Sequence, residues 1–243
     1  MNTTPYILAQ SIDVKIEPAP KKFMQAAKKH HATIEKSWEQ ACQKNPSIFN
    51  GVIFSLLDYQ LEKNKLSIRT FQTNYKNYIA QKLGTPLDIK PLSVNGVVVY
   101  HDSGAWMIFI GKRSNSVYAK PNLFEMIPAG TIDERAVRNG QLDYNITVLD
   151  ELIEETSISH QDIMHHQGFC LVWDPNDDVF DIGVEITLKH MPENIHSPSK
   201  EYSSIISKPL IETLALFEND PHTVKSSKYL LQAWCQKHGF DKE

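Results

Sequence analysis

The sequence is poor in the features that mark several common classes of protein. Its 243 residues contain three cysteines, Cys42, Cys170 and Cys235, and these form no CxxC pair. Three scattered thiols argue against a disulfide framework or a cysteine zinc site and are typical of a reducing compartment. No apolar run reaches membrane-spanning length, and the first residues lack the basic and apolar segments of a secretory signal. We therefore expect a cytoplasmic protein with no membrane partner.

The chain also lacks an excess of positive charge, since its formal net charge is −4 at pH 7. Nucleic-acid-binding proteins usually carry a basic stripe, so we expect no nucleic-acid partner. With 41% hydrophobic and 22% charged residues, the composition is that of a globular protein with a sizeable core. The sequence gives no indication of an oligomeric state.

Strand and helix patterns are interleaved along the chain, which predicts an α/β (α+β) fold with a mixed sheet. Residues 1–90 are interpreted as an N-terminal extension packed on a main domain at 91–243. The hydrophobic periodicity predicts the following elements: a strand at 6–18, a helix at 21–43, two strands within 51–72 joined through EKNK, a short helix at 73–84, β-rich segments between 92 and 133 with turns at 102–104 and 119–122, a helix at 144–157, strands at 168–175 and 181–190, and two C-terminal helices.

Three glutamates, Glu151, Glu154 and Glu155, lie within five positions of the predicted helix at 144–157. Helical residues three and four apart share a face, so we expect the three carboxylates to converge. Crowded carboxylates raise one another's pKa unless a cation lies among them. Mg²⁺ is typically bound by a few carboxylates together with substrate phosphates. The pattern predicts a Mg²⁺ or Mn²⁺ site for phosphoryl chemistry; the alternative is a plain exposed acidic face.

The sequence around these glutamates resembles the Nudix hydrolase box, which runs Gly, five residues, Glu, seven residues, Arg-Glu-apolar-any-Glu-Glu-any-Gly-apolar. FEMIPAGTID (124–133) resembles the strand and turn that lead into the box, with Gly130 as its glycine, and DELIEETSI (150–158) resembles its helical half. The resemblance implies an α/β/α sandwich. It also implies a metal site formed by Glu151, Glu154 and Glu155 with the Gly130 carbonyl.

The box departs from the family pattern at several positions. Asp150 stands in the place of the Arg, Ser157 in that of the closing Gly, and Ala136 or Leu142 in that of the first Glu. Gly130 and Asp150 are 20 positions apart, so the loop between them is longer than in the pattern. Because the Arg and the first Glu are lost together, neither charge is left without its partner. We interpret the box as divergent with its metal ligands intact; a catalytically silent nucleotide-binding module is the alternative.

The N-terminal half resembles a Nudix subgroup that cleaves UDP-sugars. The similar stretches are SWEQACQKNPSIFNG (37–51), TNYKNYI (73–79) and the lead-in GKRSNSV (111–117), and the resemblance covers residues 35–190. It implies a Mg²⁺-dependent pyrophosphohydrolase that converts UDP-glucose or UDP-galactose to UMP and a sugar 1-phosphate. The alternatives within the same chemistry are ADP-ribose, a dinucleotide or coenzyme A.

The resemblance also implies a general base outside the box, because Nudix enzymes often use a further Glu downstream. Glu185, on the predicted strand at 181–190, is the first candidate, and Glu201 in the following loop is the second. Together with Glu151 and Glu155 they form the predicted catalytic set. For Glu185 and Glu201 the alternative is an ordinary surface carboxylate.

Substrate contacts are predicted from residue types in the same motifs. Lys112 or Arg113 is expected to contact phosphate, since Arg can do so bidentately. Phe49 and Tyr75 are expected to stack on a nucleotide base, and Asn50 has the paired donor and acceptor to read the edge of that base. The alternative for Lys112 and Arg113 is a solvated charge at the end of a strand. For the two aromatic residues it is packing in the core, and for Asn50 it is a role in a turn.

Overall fold

The computed structural model of the protein describes residues 5–117 and 120–240. Its strands are, in chain order, β1 (Tyr6–Leu8), β2 (Ser11–Glu17), β3 (Val52–Glu62), β4 (Lys65–Asn74), β5 (Leu92–Asp102), β6 (Ala105–Arg113), β7 (Phe124–Met126), β8 (Ala129–Thr131), β9 (Val137–Arg138), β10 (Gln141–Leu142), β11 (Ile163–Asp174), β12 (Val179–Leu188) and β13 (Tyr202–Pro209). Its helices are α1 (Lys21–Lys29), α2 (His31–Lys44), α3 (Tyr75–Lys82), α4 (Tyr144–Thr156), α5 (Leu210–Asn219) and α6 (Lys225–His238), with 3₁₀ turns at Glu134–Ala136 and His160–Asp162. Among these, no helix combines the length and the apolar composition that crossing a bilayer requires.

A mixed sheet, here called the central sheet, lies in the middle of the fold. Its order is β1-β11-β12-β5-β6-β13, with β7 paired to β6 and β8 paired to β5. β12 and β5 run parallel, and the other neighbours are antiparallel. Helix α4 packs on one face, whereas α5 and α6 pack on the other. This three-layered mixed arrangement confirms the predicted fold class.

A second sheet, with the order β3-β4-β2-β10-β9, joins the first part of the chain to the rest. Strand β1 pairs with β11 in the central sheet, and β2 pairs with β10. One hydrophobic core contains Ile12 and Phe54 together with Val98, Val148 and Leu152. Residues on both sides of the expected boundary near residue 90 therefore pack in the same core, and the boundary itself stays a prediction.

The predicted elements are largely confirmed, but the structure adds the short strands β9 and β10 and differs at three longer elements. The expected strand at 6–18 is two strands in different sheets. The expected helix at 21–43 is broken because His30 leaves helical geometry, with φ −101° and ψ 15°. Strand β13 was not predicted, since its serines and lysine hide the apolar alternation of an edge strand. The turn expected at 119–122 lies partly outside the described residues.

The ends of α4 set the position of the candidate site. The Asp143 side chain accepts a hydrogen bond from the Asn145 backbone N–H at 3.2 Å and so caps the first turn. Ser157 ends the helix in the left-handed conformation, with φ 62°. Between these ends α4 lies against β8 and the turn at Glu134–Ala136, so its acidic face is directed to the strand that carries Gly130.

Candidate active site

Glu151 lies directly against Gly130. A Cβ atom at Gly130 would overlap with the Glu151 carboxyl group, so only glycine leaves room for this carboxylate beside the β8 backbone. The two residues that the sequence pattern places at one site are therefore in contact, although 21 positions separate them.

Glu155 is the deepest carboxylate of α4, with only 1% of its surface exposed. Its Oε2 accepts a hydrogen bond from the Ala129 backbone N–H at 3.2 Å. Its Oε1 is 3.3 Å from the hydroxyl of Tyr202, which also donates to Glu125 at 2.8 Å. Glu155 therefore belongs to a buried polar network that reaches from α4 to β7 and β13.

Arg113 is the cation of this network. Its guanidinium donates to Glu125 and pairs with Glu201 at 3.0 Å. Burial alone would lower the pKa of Arg113, but Glu125 and Glu201 outweigh burial and raise it. The predicted phosphate contact of Arg113 thus competes with two carboxylates that already engage its guanidinium, and Arg113 instead holds Glu201 at the edge of the network.

Burial and neighbouring carboxylates, rather than cations, dominate the surroundings of Glu151 and Glu155. Burial, followed by repulsion from Glu154 and Glu201, raises the pKa of Glu151 to about 7. Burial and then repulsion from Glu201, Glu151 and Glu125 raise the pKa of Glu155 well above its usual range. Crowded oxygen donors of this kind are the ligands that a hard divalent cation prefers, and such a cation would relieve their repulsion.

Glu154 is directed further outward than Glu151 and Glu155, although it lines the same cavity as Glu151. Its side chain is 59% exposed and its Oε1 lies 3.8 Å from Nη1 of Arg135. Glu155 is only ~40° from Glu151 around the helix, whereas Glu154 lies ~60° away on the other side. In residues 5–117 and 120–240, no three His, Cys, Asp or Glu side chains are arranged to hold an ion.

A cavity of about 620 Å³ opens beside this acidic region. The residues that line it come from the segment between α2 and β3, the first residues of β3, the start of α3, the end of β8 with the turn after it, and α4: Ser47, Ile48, Phe49, Gly51, Val52, Ile53, Tyr75, Thr131, Asp133, Glu134, Arg135, Glu151 and Glu154. Phe49 is 78% exposed and its ring folds over Gly51. The structure therefore brings two of the predicted base-stacking residues, Phe49 and Tyr75, to the same cavity as Glu151.

Glu185 lies away from this cavity, on the α6 side of the central sheet. It alternates along β12 with Val184 and Ile186, which face the α4 side. Its carboxylate accepts from Trp234 Nε1 at 2.8 Å and Lys237 Nζ at 3.0 Å. Because a strand directs successive side chains to opposite faces, the predicted general base Glu185 is not brought to Glu151. Glu201 replaces it as the candidate.

Two further predicted substrate contacts are also engaged elsewhere. Lys112 precedes Arg113 on β6 and so points to the opposite face, where its Nζ lies 5.5 Å from the centre of the Phe124 ring. Asn50 uses its Oδ1 to accept from the Lys76 backbone N–H at 2.9 Å, which satisfies an amide at the start of α3. Neither residue lines the cavity.

Glu125, Tyr202 and Arg135 were not singled out by the sequence, although they contact the predicted site residues. Glu125 occurs in FEMIPAG, only five positions before Gly130, and a carboxylate in an otherwise apolar strand was the available signal. Tyr202 belongs to the strand that was not predicted. Arg135 lies in the lengthened loop, for which the family pattern offers no counterpart.

The solved structures that are similar to this chain include three Nudix proteins. No protein-family model matches the sequence, and no curated protein matches it either. The Nudix domain of Shewanella oneidensis NrtR, complexed with ADP ribose, is 18% identical and aligns with 60% of this chain and 87% of its own, with a TM-score of 0.48. The Nudix hydrolase RenU of M. smegmatis is 8% identical, over 62% and 87% of the two chains, with a TM-score of 0.46. A C. elegans Ap4A hydrolase is 13% identical, over 62% and 98%, with a TM-score of 0.43.

Proposed function

We propose that the protein is a Nudix-type hydrolase that cleaves the diphosphate of a nucleoside diphosphate compound. The observation that carries the proposal is the contact between Glu151 and Gly130 at a cavity that Phe49 and Tyr75 also line. Acidic side chains and exposed aromatic rings are what a metal-bound diphosphate and its base require. The sequence resemblance supports UDP-glucose or UDP-galactose as the substrate, with UMP and a sugar 1-phosphate as products.

The donor chemistry of α4 and β8, with carboxylates beside a backbone carbonyl, suits a divalent cation, Mg²⁺ or Mn²⁺, although no three of these side chains are gathered around one point in the described residues. Glu151 and Glu155, the Gly130 carbonyl and Glu154 at the cavity rim are the proposed ligands. When bound, such a cation neutralises charge on the diphosphate and polarises the phosphorus that water attacks. Burial and then repulsion from neighbouring carboxylates raise the pKa values of Glu151 and Glu155, and a bound cation would favour the ionised form of both groups.

The chain's own side chains supply positioning and proton transfer. Phe49 and Tyr75 hold the base by stacking, which orients the diphosphate towards α4. Glu201 is the proposed general base: it takes a proton from the attacking water while the bond to the bridging oxygen breaks. Arg113 holds Glu201 in place through the 3.0 Å ion pair. A cytoplasmic setting is part of the proposal, supported by cysteines that form no disulfide within the described residues.

Metal-dependent hydrolysis of a substrate panel tests the proposal. The purified protein is incubated with Mg²⁺ or Mn²⁺ and UDP-glucose, UDP-galactose, ADP-ribose, a dinucleotide or coenzyme A, and products are identified by mass spectrometry. We expect UMP and sugar 1-phosphate, with activity reduced at least ~100-fold in Glu155→Gln. Glu62→Gln, at the exposed end of β3, is the matched control and should retain activity.

Two results would redirect the proposal. Release of products from ADP-ribose, the dinucleotide or coenzyme A, but not from the UDP-sugars, would keep the chemistry and change the substrate. Nucleotide binding without product release at any metal concentration would indicate a silent binding module. The outward position of Glu154 is the feature that favours this second function.

A further inference from the structure

Arg135 is the one cationic side chain among the described residues that line the cavity. The other charged residues of the lining are Asp133, Glu134, Glu151 and Glu154. A diphosphate entering this cavity meets mainly like charge, which repels it even when part of that charge is compensated. Whether an anion can bind in this cavity therefore depends on where the Arg135 guanidinium lies.

The guanidinium of Arg135 is anchored from one side only. Its Nε donates to Asp133 Oδ2 at 2.9 Å, and its backbone N–H donates to Asp133 Oδ1 at 2.9 Å. Its Nη1 lies 3.9 Å from Asp150 and 3.8 Å from Glu154, which is too long for hydrogen bonds. Asp133 thus fixes the Nε side of the Arg135 guanidinium, while the Nη groups can still donate hydrogen bonds to another partner.

We infer that Arg135 is a phosphate-binding residue that selects substrates with a diphosphate at this cavity. The inference rests on the proposed function and adds a residue to it. An arginine fork can take two phosphate oxygens at once, which gives both energy and orientation. Its side chain is 52% exposed, so it can turn from Glu154 to a bound diphosphate while Asp133 retains its Nε.

A purely structural role for Arg135 makes a different prediction. Arg135 lies in the loop and Asp150 on α4, and Nη1 of Arg135 is 3.9 Å from the Asp150 carboxylate. If Arg135 only ties the loop to α4, then exchanging the two charges should restore function. If Arg135 contacts phosphate, substrate binding should stay weak after the exchange.

Steady-state kinetics and equilibrium binding separate these roles. For Arg135→Ala we expect about a tenfold rise in KM for UDP-glucose with kcat changed less than about threefold, as for loss of uniform binding. UDP binding by calorimetry with Mg²⁺ should weaken by about the same factor. Arg135→Lys should recover part of the loss. Arg69→Ala, at an arginine that is also 52% exposed but pairs with Asp58 away from the cavity lining, should leave both values within about twofold of the wild type.

The charge exchange Arg135→Glu with Asp150→Arg completes the test. We expect the KM of this variant to stay raised, while its melting temperature shows whether it is folded. A KM restored to the wild-type value, or an Arg135→Ala variant with unchanged KM and UDP affinity, would overturn the inference while leaving the proposed hydrolysis intact. A wild-type protein that binds UDP but hydrolyses no diphosphate would remove the proposed function, and the binding measurements alone would then support or overturn the role of Arg135. A wild-type protein that neither binds UDP nor hydrolyses a diphosphate would overturn both the proposed function and the inference about Arg135.

Discussion

Gly130 controls the site through the absence of a side chain. The Glu151 carboxyl group occupies the space that a Cβ atom would take. Gly130 lies in β8 and pairs with Val94, so its backbone is an ordinary extended strand that alanine can also adopt. The cost of adding a methyl group therefore falls on the orientation of Glu151 rather than on the strand.

Gly130→Ala should separate activity from stability. We expect at least about a tenfold loss of kcat/KM, because Glu151 must turn away, with a change in the free energy of unfolding within about 1 kcal/mol. The measurements are hydrolysis of UDP-glucose and thermal unfolding. In the double variant with Glu151→Ala, Gly130→Ala should cause no further loss, since both changes act through the same carboxylate. Additive losses would show that Gly130 acts independently of Glu151.

The residues that sequence reasoning found and missed differ in how far apart their partners lie along the chain. Glu151, Glu154 and Glu155 were visible because one helical turn collects them. Tyr202 and Glu125 are hydrogen-bonded across 77 positions, and this contact exists only because β7 and β13 flank β6. A pattern within one segment cannot report such a contact, so the inner partners of Glu155 required the structure.

At the scale of secondary-structure elements, α4 was predicted almost to the residue and β13 was not predicted at all. The helix has a capping aspartate and a helical apolar period, both of which are local signals. Strand β13 depends on pairing with β6, and its sequence YSSIISKP is half polar. The end of α4 was predicted only in part. The position was expected from the sequence, but the left-handed conformation of Ser157, which stands in the place of the closing Gly, required the structure.

Ser157→Gly should stabilise the protein relative to Ser157→Ala by about 1 kcal/mol, because glycine adopts the left-handed conformation without steric cost. Both variants lose the 3.2 Å contact between the serine hydroxyl and His196, so the comparison isolates the backbone. Thermal unfolding should show a difference of ~2–4 °C for a chain of this size. Equal melting temperatures would mean that the helix end relaxes to another conformation.

At the scale of the whole molecule, Glu185 fastens α6 to the central sheet. Its Oε2 is within hydrogen-bond distance of Trp234, Lys237 and His238, all in the last two turns of α6. Burial alone would raise the pKa of Glu185, but the bonds from His238 and Lys237 outweigh burial and lower it. A carboxylate with a lowered pKa stabilises the folded state only while it is ionised.

Glu185→Gln should therefore destabilise the protein in a pH-dependent way. At pH 7 we expect a loss of about 1–3 kcal/mol from the free energy of unfolding, since charge-assisted hydrogen bonds are removed. The unfolded carboxylate has the ordinary pKa of 4.5 and the folded one a lower value, so the wild type keeps its full advantage above 4.5. That advantage should disappear as the pH falls through the lowered folded pKa. Denaturant titrations across this range check it.

Glu212→Gln is the control for that experiment, because Glu212 pairs with Lys208 at 3.0 Å on the exposed side of α5. An exposed pair of this kind contributes little, so its loss should be smaller. A difference between Glu185→Gln and the wild type that stays constant down to strongly acidic pH would contradict the ionic role of Glu185.

The interlocking of the two sheets also limits how the proposed nucleotide specificity of this protein can change. Phe49 and Tyr75 come before residue 90, and the same part of the chain supplies β1, which pairs with β11, and β2, which pairs with β10. This N-terminal part cannot be exchanged as a separate domain. Its removal would leave the edge of β11 unpaired and would expose the hydrophobic core that both parts of the chain share. We therefore expect a change of specificity to come from single substitutions at the cavity, while α4 and the shared core stay in place.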